Sequence, residues 1–278
     1  MNWKTVALSA CTLVVLASCA KSPTGRSQLQ LYSSSELNKM GAASYEEMRE
    51  EQKINDDAEV NAYVRCVSDA LIENLPGNYS QMDWQVTVFA EPTVNAFALP
   101  GGYIGVYDGL IEVAENQHQL AAVIGHEIGH VIAEHSNERI SSNMMVGLGL
   151  QLGGILASTQ LDNDKAGLLM AALGVGAQVG ILLPYSRTHE SESDELGMEY
   201  MADAGFKLEE APELWRNMQS ASDGESPPEL LSTHPNPQTR IKDLEALIPS
   251  LQERYSAARA AGKTPACQRP ASVGSSDK

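Results

Sequence analysis

His126-Glu127-Ile128-Gly129-His130 sets two imidazoles four residues apart with a carboxylate beside the first. On a helix, residues four apart stand about 40° apart around the axis. Both rings therefore leave one face, at a separation that a single tetrahedral ion can bridge. Glu127 lies next to that face, within reach of a water at an open coordination position. Zinc lowers the pKa of such a water to about 7, and a neighbouring carboxylate can take its proton as it attacks a peptide carbonyl. Gly129 suits close approach to another backbone, and suits ordinary packing equally well.

The five-residue string recurs by chance, so the chemistry requires a third ligand. A continuation of the form H-x-x-G-x-x-H would need glycine at position 133 and histidine at 136, where the chain has Ala133 and Ser136. His135, nine residues from His126, falls on the opposite side of the same helix. The stronger source is downstream, in Arg187-Thr188-His189-Glu190-Ser191-Glu192-Ser193-Asp194. Glu190 and Asp194 are four apart and share a face. Glu190 is the expected third ligand of one Zn2+ per chain. Asp194 is expected to accept a hydrogen bond from the far nitrogen of a ligand histidine and fix its tautomer. Glu192 and Glu195 read as a solvated acidic helix start.

These residues need elements to carry them. Apolar spacing predicts helix from Ser35 to Leu75, closed by Pro76-Gly77. Trp84 to Ala90 alternates as a strand, and Asn95 to Leu110 reads as strand–turn–strand around Pro100-Gly101-Gly102. The segment Gln117 to Glu138 is one long predicted helix, and Ser186 to Ala204 is another, ended by Gly205. A loop from Pro227 leads into a helix at Pro237 to Leu247, and Lys263 to Lys278 reads as mostly disordered. From Met144 to Leu183 the chain is Gly- and Leu-rich, interrupted by Asp162-Asn163-Asp164-Lys165. Three readings stay open there: a membrane-touching hairpin, a helix pair covering the core, or an apolar lid.

The 278 residues, 43% of them hydrophobic, suffice for one sizeable core. A net charge of −17 argues against a nucleic-acid partner and against a polybasic hold on anionic lipid. At the N-terminus, Lys4 precedes a short apolar run from Val6 to Ala17, too short to span a bilayer and suited to a signal segment. Leu16-Ala17-Ser18-Cys19 resembles a bacterial lipobox. That resemblance implies a signal peptide over 1–18, palmitate-type lipidation at Cys19, a tether over 19–31, and an outer-membrane lipoprotein facing the periplasm of a Gram-negative cell. Export leaves Cys66 and Cys267 in an oxidising compartment, where two cysteines often pair. The main domain is expected over 32–250, with a partly disordered tail over 251–278.

Together the motifs resemble the gluzincin peptidase family of the CAAX prenyl proteases and HtpX, on a periplasmic lipoprotein branch. The strings that carry the likeness are His126-Glu127-x-x-His130 and Ser186-Arg187-x-x-Glu190-x-x-x-Asp194 with Gly197 beyond. Asn95-Ala96-Phe97-Ala98-Leu99-Pro100-Gly101-Gly102, and Thr233-His234-Pro235 with Arg240, also match. Ser193 departs from the family's usual alanine, a small-for-small change. The resemblance implies a mainly helical α+β zincin-like domain, with a small sheet beside the active-site helix. It implies His126, His130 and Glu190 as zinc ligands, Glu127 as general base, and Asp194 as partner of a ligand histidine or proton donor. Asn95, Ala96 and Phe97 would belong to an edge strand along which substrate lies by strand addition. His234 and Arg240 would mark a loop able to block the metal. The implied activity is cleavage of misfolded or misassembled envelope polypeptides, with envelope assembly machinery as a further partner. An assembly chaperone or adaptor with a latent metal site is the alternative.

Overall fold

The structure is a computed structural model describing residues 19–160, 163–177, 183–221, 230, 234 and 237–273. The expected signal segment, 1–18, lies outside the described residues. In chain order the elements are β1 (Cys19–Lys21), β2 (Ser27–Leu29), α1 (Ser34–Glu51), α2 (Ala58–Ile72), β3 (Gln85–Phe89), β4 (Ala96–Leu99) and β5 (Tyr103–Tyr107). The helices α3 (Asp108–Val113), α4 (Gln117–Ile132), α5 (His135–Gln160), α6 (Asn163–Ala177), α7 (Leu183–Ala204), α8 (Glu210–Ala221) and α9 (Pro237–Ala260) follow. This is the mainly helical α+β zincin-like arrangement that the sequence predicts. The chain divides into two compact units, a larger one of residues 37–132 and 190–278, and a smaller one of 1–36 and 133–189.

In the larger unit the sheet order is β3-β5-β4. β3 runs parallel to β5, with Val86 opposite Ile104, and β4 runs antiparallel, with Ala98 opposite Ile104. Ile104 and Val106 of the central strand are fully buried. The β4–β5 turn passes through Gly101 and Gly102 at φ 98° and 91°, a region open to glycine at no steric cost. Gly105 lies beneath the Phe97 ring, where any Cβ would sit 2.2 Å from the ring. A full aromatic side chain is thereby seated on the edge strand.

Helix α4 lies against β4, α2 and α8. Its first turn is capped by Asn116, whose side-chain oxygen accepts from the backbone N–H of His118 and Gln119. Leu120, Ala121, Ile124 and Ile128 are fully buried, as expected of a helix apolar around most of its girth. Its crossing with α7 is lined by glycine. A Cβ on Gly129 would stand 3.0 Å from Ser193 O, and one on Gly197 would stand 2.8 Å from His126 N.

The tail is more ordered than the sequence suggests. α9 continues to Ala260, through Pro249. Beyond it Cys267 is joined to Cys66 by a disulfide. Gln117 Nε2 donates to Pro265 O, and Arg269 donates to the carbonyls of Ala114 and Ile111. Polar composition reads as disorder only until a covalent link and backbone acceptors hold the segment.

In the smaller unit, residues expected to form a tether instead make an antiparallel ribbon, Cys19 opposite Leu29. Gln28 is buried, and its amide donates to Ala133 O at 2.6 Å. The long helix predicted across 117–138 is broken. α4 stops at Ile132, Glu134 adopts φ 51°, and α5 begins at His135. Contacts that sequence periodicity cannot register hold this break: Ala133 O accepts from Gln28, and Glu134 accepts from Ser34 Oγ at 2.9 Å. His135 therefore opens a new helix, and its ring stacks on His189 at 4.2 Å. Glu138 is 1% exposed and gathers Arg26 through two 2.7 Å bonds and His189 Nε2 at 2.9 Å. Those bonds outweigh the cost of burial and hold its carboxyl down at about 2.

Candidate metal centre

Helix α4 supplies His126, Glu127 and His130, α7 supplies Glu190 and Asp194, and both pairs keep the four-residue spacing of one helical face. The structure brings His126, His130 and Glu190 together and adds His234, with one ligand atom from each inside a span of 4.8 Å. His126 Nε2 lies 3.0 Å from His130 Nε2, 3.4 Å from Glu190 Oε2 and 3.3 Å from His234 Nδ1. His130 Nε2 stands 3.5 Å from Glu190 Oε1.

Zinc fits these residues. Ligand atoms about 2.1 Å from a tetrahedral ion stand about 3.4 Å from one another. The observed separations bracket that value. The donor types, imidazole nitrogen and carboxylate oxygen, are zinc's own preference, and two facing imidazole nitrogens at 3.0 Å suit a shared cation. One further atom points into the site. Glu127 is 4% exposed, and its buried Oε1 has no hydrogen-bond partner among the described residues. His234 Nε2 stands 3.5 Å from it.

Asp194 and Arg240 form the rear wall. His126 Nδ1 is 3.0 Å from Asp194 Oδ1, and Arg240 Nε donates to Asp194 Oδ2 at 2.7 Å. Arg240 Nη1 reaches Glu190 Oε2 at 3.1 Å. With a cation at Nε2, the network would keep the His126 proton on Nδ1, donating to Asp194. The 3.0 Å approach of Arg240 Nη2 to His126 Nδ1 is then two donors converging on one carboxylate oxygen. Arg240 is buried, and its guanidinium lies 3.7 Å over the Trp215 ring.

Electrostatics follow the same geometry. Burial and the Arg240 charge both oppose a protonated His126, yet hydrogen bonds to Asp194 and Glu190 prevail and lift it to about 9. Burial raises Glu127 against the pull of His234 and His126. Glu190 and Asp194 pay for burial but end well below the ordinary carboxylate range. Glu190 is held down by bonds to His126 and His234, and Asp194 by the Arg240 charge and a bond to His126.

The other expected site residues fall as follows. Ala96 and Phe97 lie on β4, at one edge of the sheet, and Asn95 precedes it. Arg240 belongs to helix α9 rather than to a blocking loop, because Pro237 starts the helix one turn earlier. Cys19 opens β1, and its side chain lies outside the described residues. Trp215 escaped the sequence reading: a lone tryptophan on an amphipathic helix carries no sign of which cation it will meet.

Residues 53–248 match peptidase family M48. The chain is 34% identical over 239 residues to metalloendopeptidase OMA1, mitochondrial, of Bos taurus, covering 81% of this chain and 45% of that one. It is 35% identical over 175 residues to the mitochondrial metalloendopeptidase OMA1 of Schizosaccharomyces pombe, covering 62% and 49%. Against the putative beta-barrel assembly-enhancing protease of Vibrio cholerae it is 27% identical over 207 residues, covering 73% and 42%. The chain thus spans about half the length of the curated relatives it matches. These likenesses overturn the expected location as a Gram-negative outer-membrane lipoprotein, since the relatives at 34–35% identity are mitochondrial. A four-residue lipobox after a short apolar run is too small a signal to specify a membrane, and Leu16 to Ser18 lie outside the described residues. The narrower likeness to a lipoprotein branch gives way with it. What the matched span and the converging groups share is membership of the larger group: the chain belongs to peptidase family M48.

Proposed function

We propose that this chain is a zinc-dependent endopeptidase acting on locally unfolded or misassembled polypeptides. The observation that carries the reading is the buried Glu127 carboxylate, aimed beside two imidazoles and Glu190, with one oxygen lacking a hydrogen-bond partner among the described residues. His126, His130 and Glu190 would hold the ion. When bound, zinc supplies Lewis acidity toward a peptide carbonyl and brings a water's pKa near 7. Glu127 takes a proton at Oε1 and returns it to the leaving amine nitrogen. Burial raises its pKa, the direction that favours holding the proton between those two steps. Asp194 orients His126 through Nδ1, and Arg240 holds Asp194 and Glu190 in place. The outer edge of β4 offers backbone groups to an extended substrate strand, which favours unfolded segments over folded ones.

A second reading, an adaptor with a latent site, draws support from His234. Its Nδ1 lies 2.7 Å from Glu190 Oε2, so its imidazole stands among the groups that would hold the ion. Glu127→Gln separates the readings: the purified variant should retain zinc and lose cleavage of an unfolded casein substrate by at least 100-fold. His234→Ala should raise cleavage if the imidazole blocks access. Unchanged degradation by Glu127→Gln would remove the assigned chemistry, and inactivity of both wild type and His234→Ala would favour the adaptor.

A further inference from the structure

Trp215 is buried on α8, where packing of the amphipathic helix would alone account for a large apolar side chain. What its ring meets is a charge. The central guanidinium carbon of Arg240, on α9, stands 3.7 Å from the ring centroid, within stacking range. Arg240 is itself 4% exposed, so water is largely kept from the pair.

Arg240 stands at the border of the place an ion would take. Nη1 reaches Glu190 Oε2 at 3.1 Å, and Nη2 lies 3.5 Å from His126 Nε2. Both of those partners are atoms that would face zinc. Behind them Nε and Nη2 donate to the two oxygens of Asp194, a paired grip that fixes one edge of the guanidinium. That grip does not fix its tilt, because a carboxylate can turn together with its partner. The indole face does. A planar guanidinium keeps its attraction to a ring only while it stays stacked, and tryptophan offers a cation the strongest of the aromatic faces. A guanidinium freed from that seat would carry Glu190 with it or move forward among the ligand atoms. Either shift disturbs a site that tolerates only about 0.2 Å of error in ligand distance.

We propose that Trp215 is a positioning residue of the metal centre: its indole face seats Arg240, and through Arg240 it sets Asp194 and Glu190 where the ion requires them. The role rests on the zinc reading given above. It touches neither metal nor substrate, and it acts through a charge that a ligand carboxylate and the partner of a ligand histidine share.

The test is a double-mutant cycle on the full chain, read as zinc affinity by chelator competition, with circular dichroism verifying that each protein is folded. Trp215→Met should weaken zinc binding about tenfold, the low end of the range for losing support behind a ligand. In an Arg240→Gln background, which keeps a donor for Asp194 but has no charge to stack, the same change should alter affinity less than about twofold. Trp215→Phe shrinks the side chain as Trp215→Met does but keeps an aromatic face, and should bind zinc within about threefold of wild type. That comparison stands even where Arg240→Gln does not fold. Equal weakening by Trp215→Phe and Trp215→Met, or one and the same fold-change from Trp215→Met in both Arg240 backgrounds, would overturn the proposal and leave Trp215 as core filling. A wild-type chain that takes up no zinc would overturn the metal reading itself, and the positioning role with it.

Discussion

Gly197→Ala adds one methyl group where α7 meets α4, and the structure says what that methyl would strike. Its carbon would lie 2.8 Å from His126 N and 3.0 Å from Gly125 C. Both are backbone atoms of a buried helix, which cannot rotate away as a side-chain tip would. Comfortable carbon contacts begin at about 3.5 Å, so the helices must part by about 0.6 Å at this crossing. Overpacking of this kind costs about 1–3 kcal/mol, which lowers Tm by about 3–10 °C in a domain of this size. The larger consequence lies at the metal. Glu190 and Asp194 ride on α7, His126 and His130 on α4, and a metal site tolerates only about 0.2 Å of error in its ligand distances. Zinc affinity should fall about 10–100-fold, the range seen when the partner of a ligand histidine is disturbed. Chelator competition on the purified protein gives the affinity, and thermal unfolding with excess zinc gives the stability. Gly147→Ala is the control, with nothing within 4 Å of the added carbon, and it should leave zinc affinity unchanged. If Gly197→Ala binds zinc as tightly as wild type, the close helix crossing is not what positions the carboxylates.

Two further outcomes are expected. The Glu138 carboxyl is held at about 2 in the folded chain against 4.5 ordinarily, so its stabilisation is complete above about pH 4.5 and drains away as pH falls toward 2. That stabilisation amounts to about 3 kcal/mol at most. Denaturant unfolding at pH 7 and pH 3 should therefore show a smaller pH effect in Glu138→Gln than in wild type, and parallel curves would refute the assignment. The Cys66–Cys267 bridge closes a loop across 201 positions, so replacing both cysteines with serine should cost about 2–5 kcal/mol, read as a drop in denaturant midpoint. An unchanged midpoint would mean that the tail is held by Arg269 and Gln117 alone.

Much of the chemistry was legible because helical periodicity is a local property. The spacing of His126 to His130 and of Glu190 to Asp194 fixes which side chains share a face before any fold is known. The strand–turn–strand around Gly101 and Gly102 was equally local, since positive φ selects glycine. Compositional signals fared worse. The polar stretches after Cys19 and Lys263 read as tether and disorder, yet they are held by backbone pairing and a disulfide. The break at Glu134 stayed hidden because its causes, Gln28 and Ser34, lie about a hundred residues away.

By itself, then, the sequence determined which groups could bind a metal and move a proton, because the helix repeat aligns them without reference to the rest of the chain. Only the tertiary structure decided that the two helices cross at their glycines, bringing His126, His130 and Glu190 together, with His234 inside the same span of 4.8 Å. It alone also placed Arg240 on Trp215 and against Asp194. Those are relations between residues far apart in the chain, set by close packing and by the need of buried charges for partners, and no local pattern encodes them.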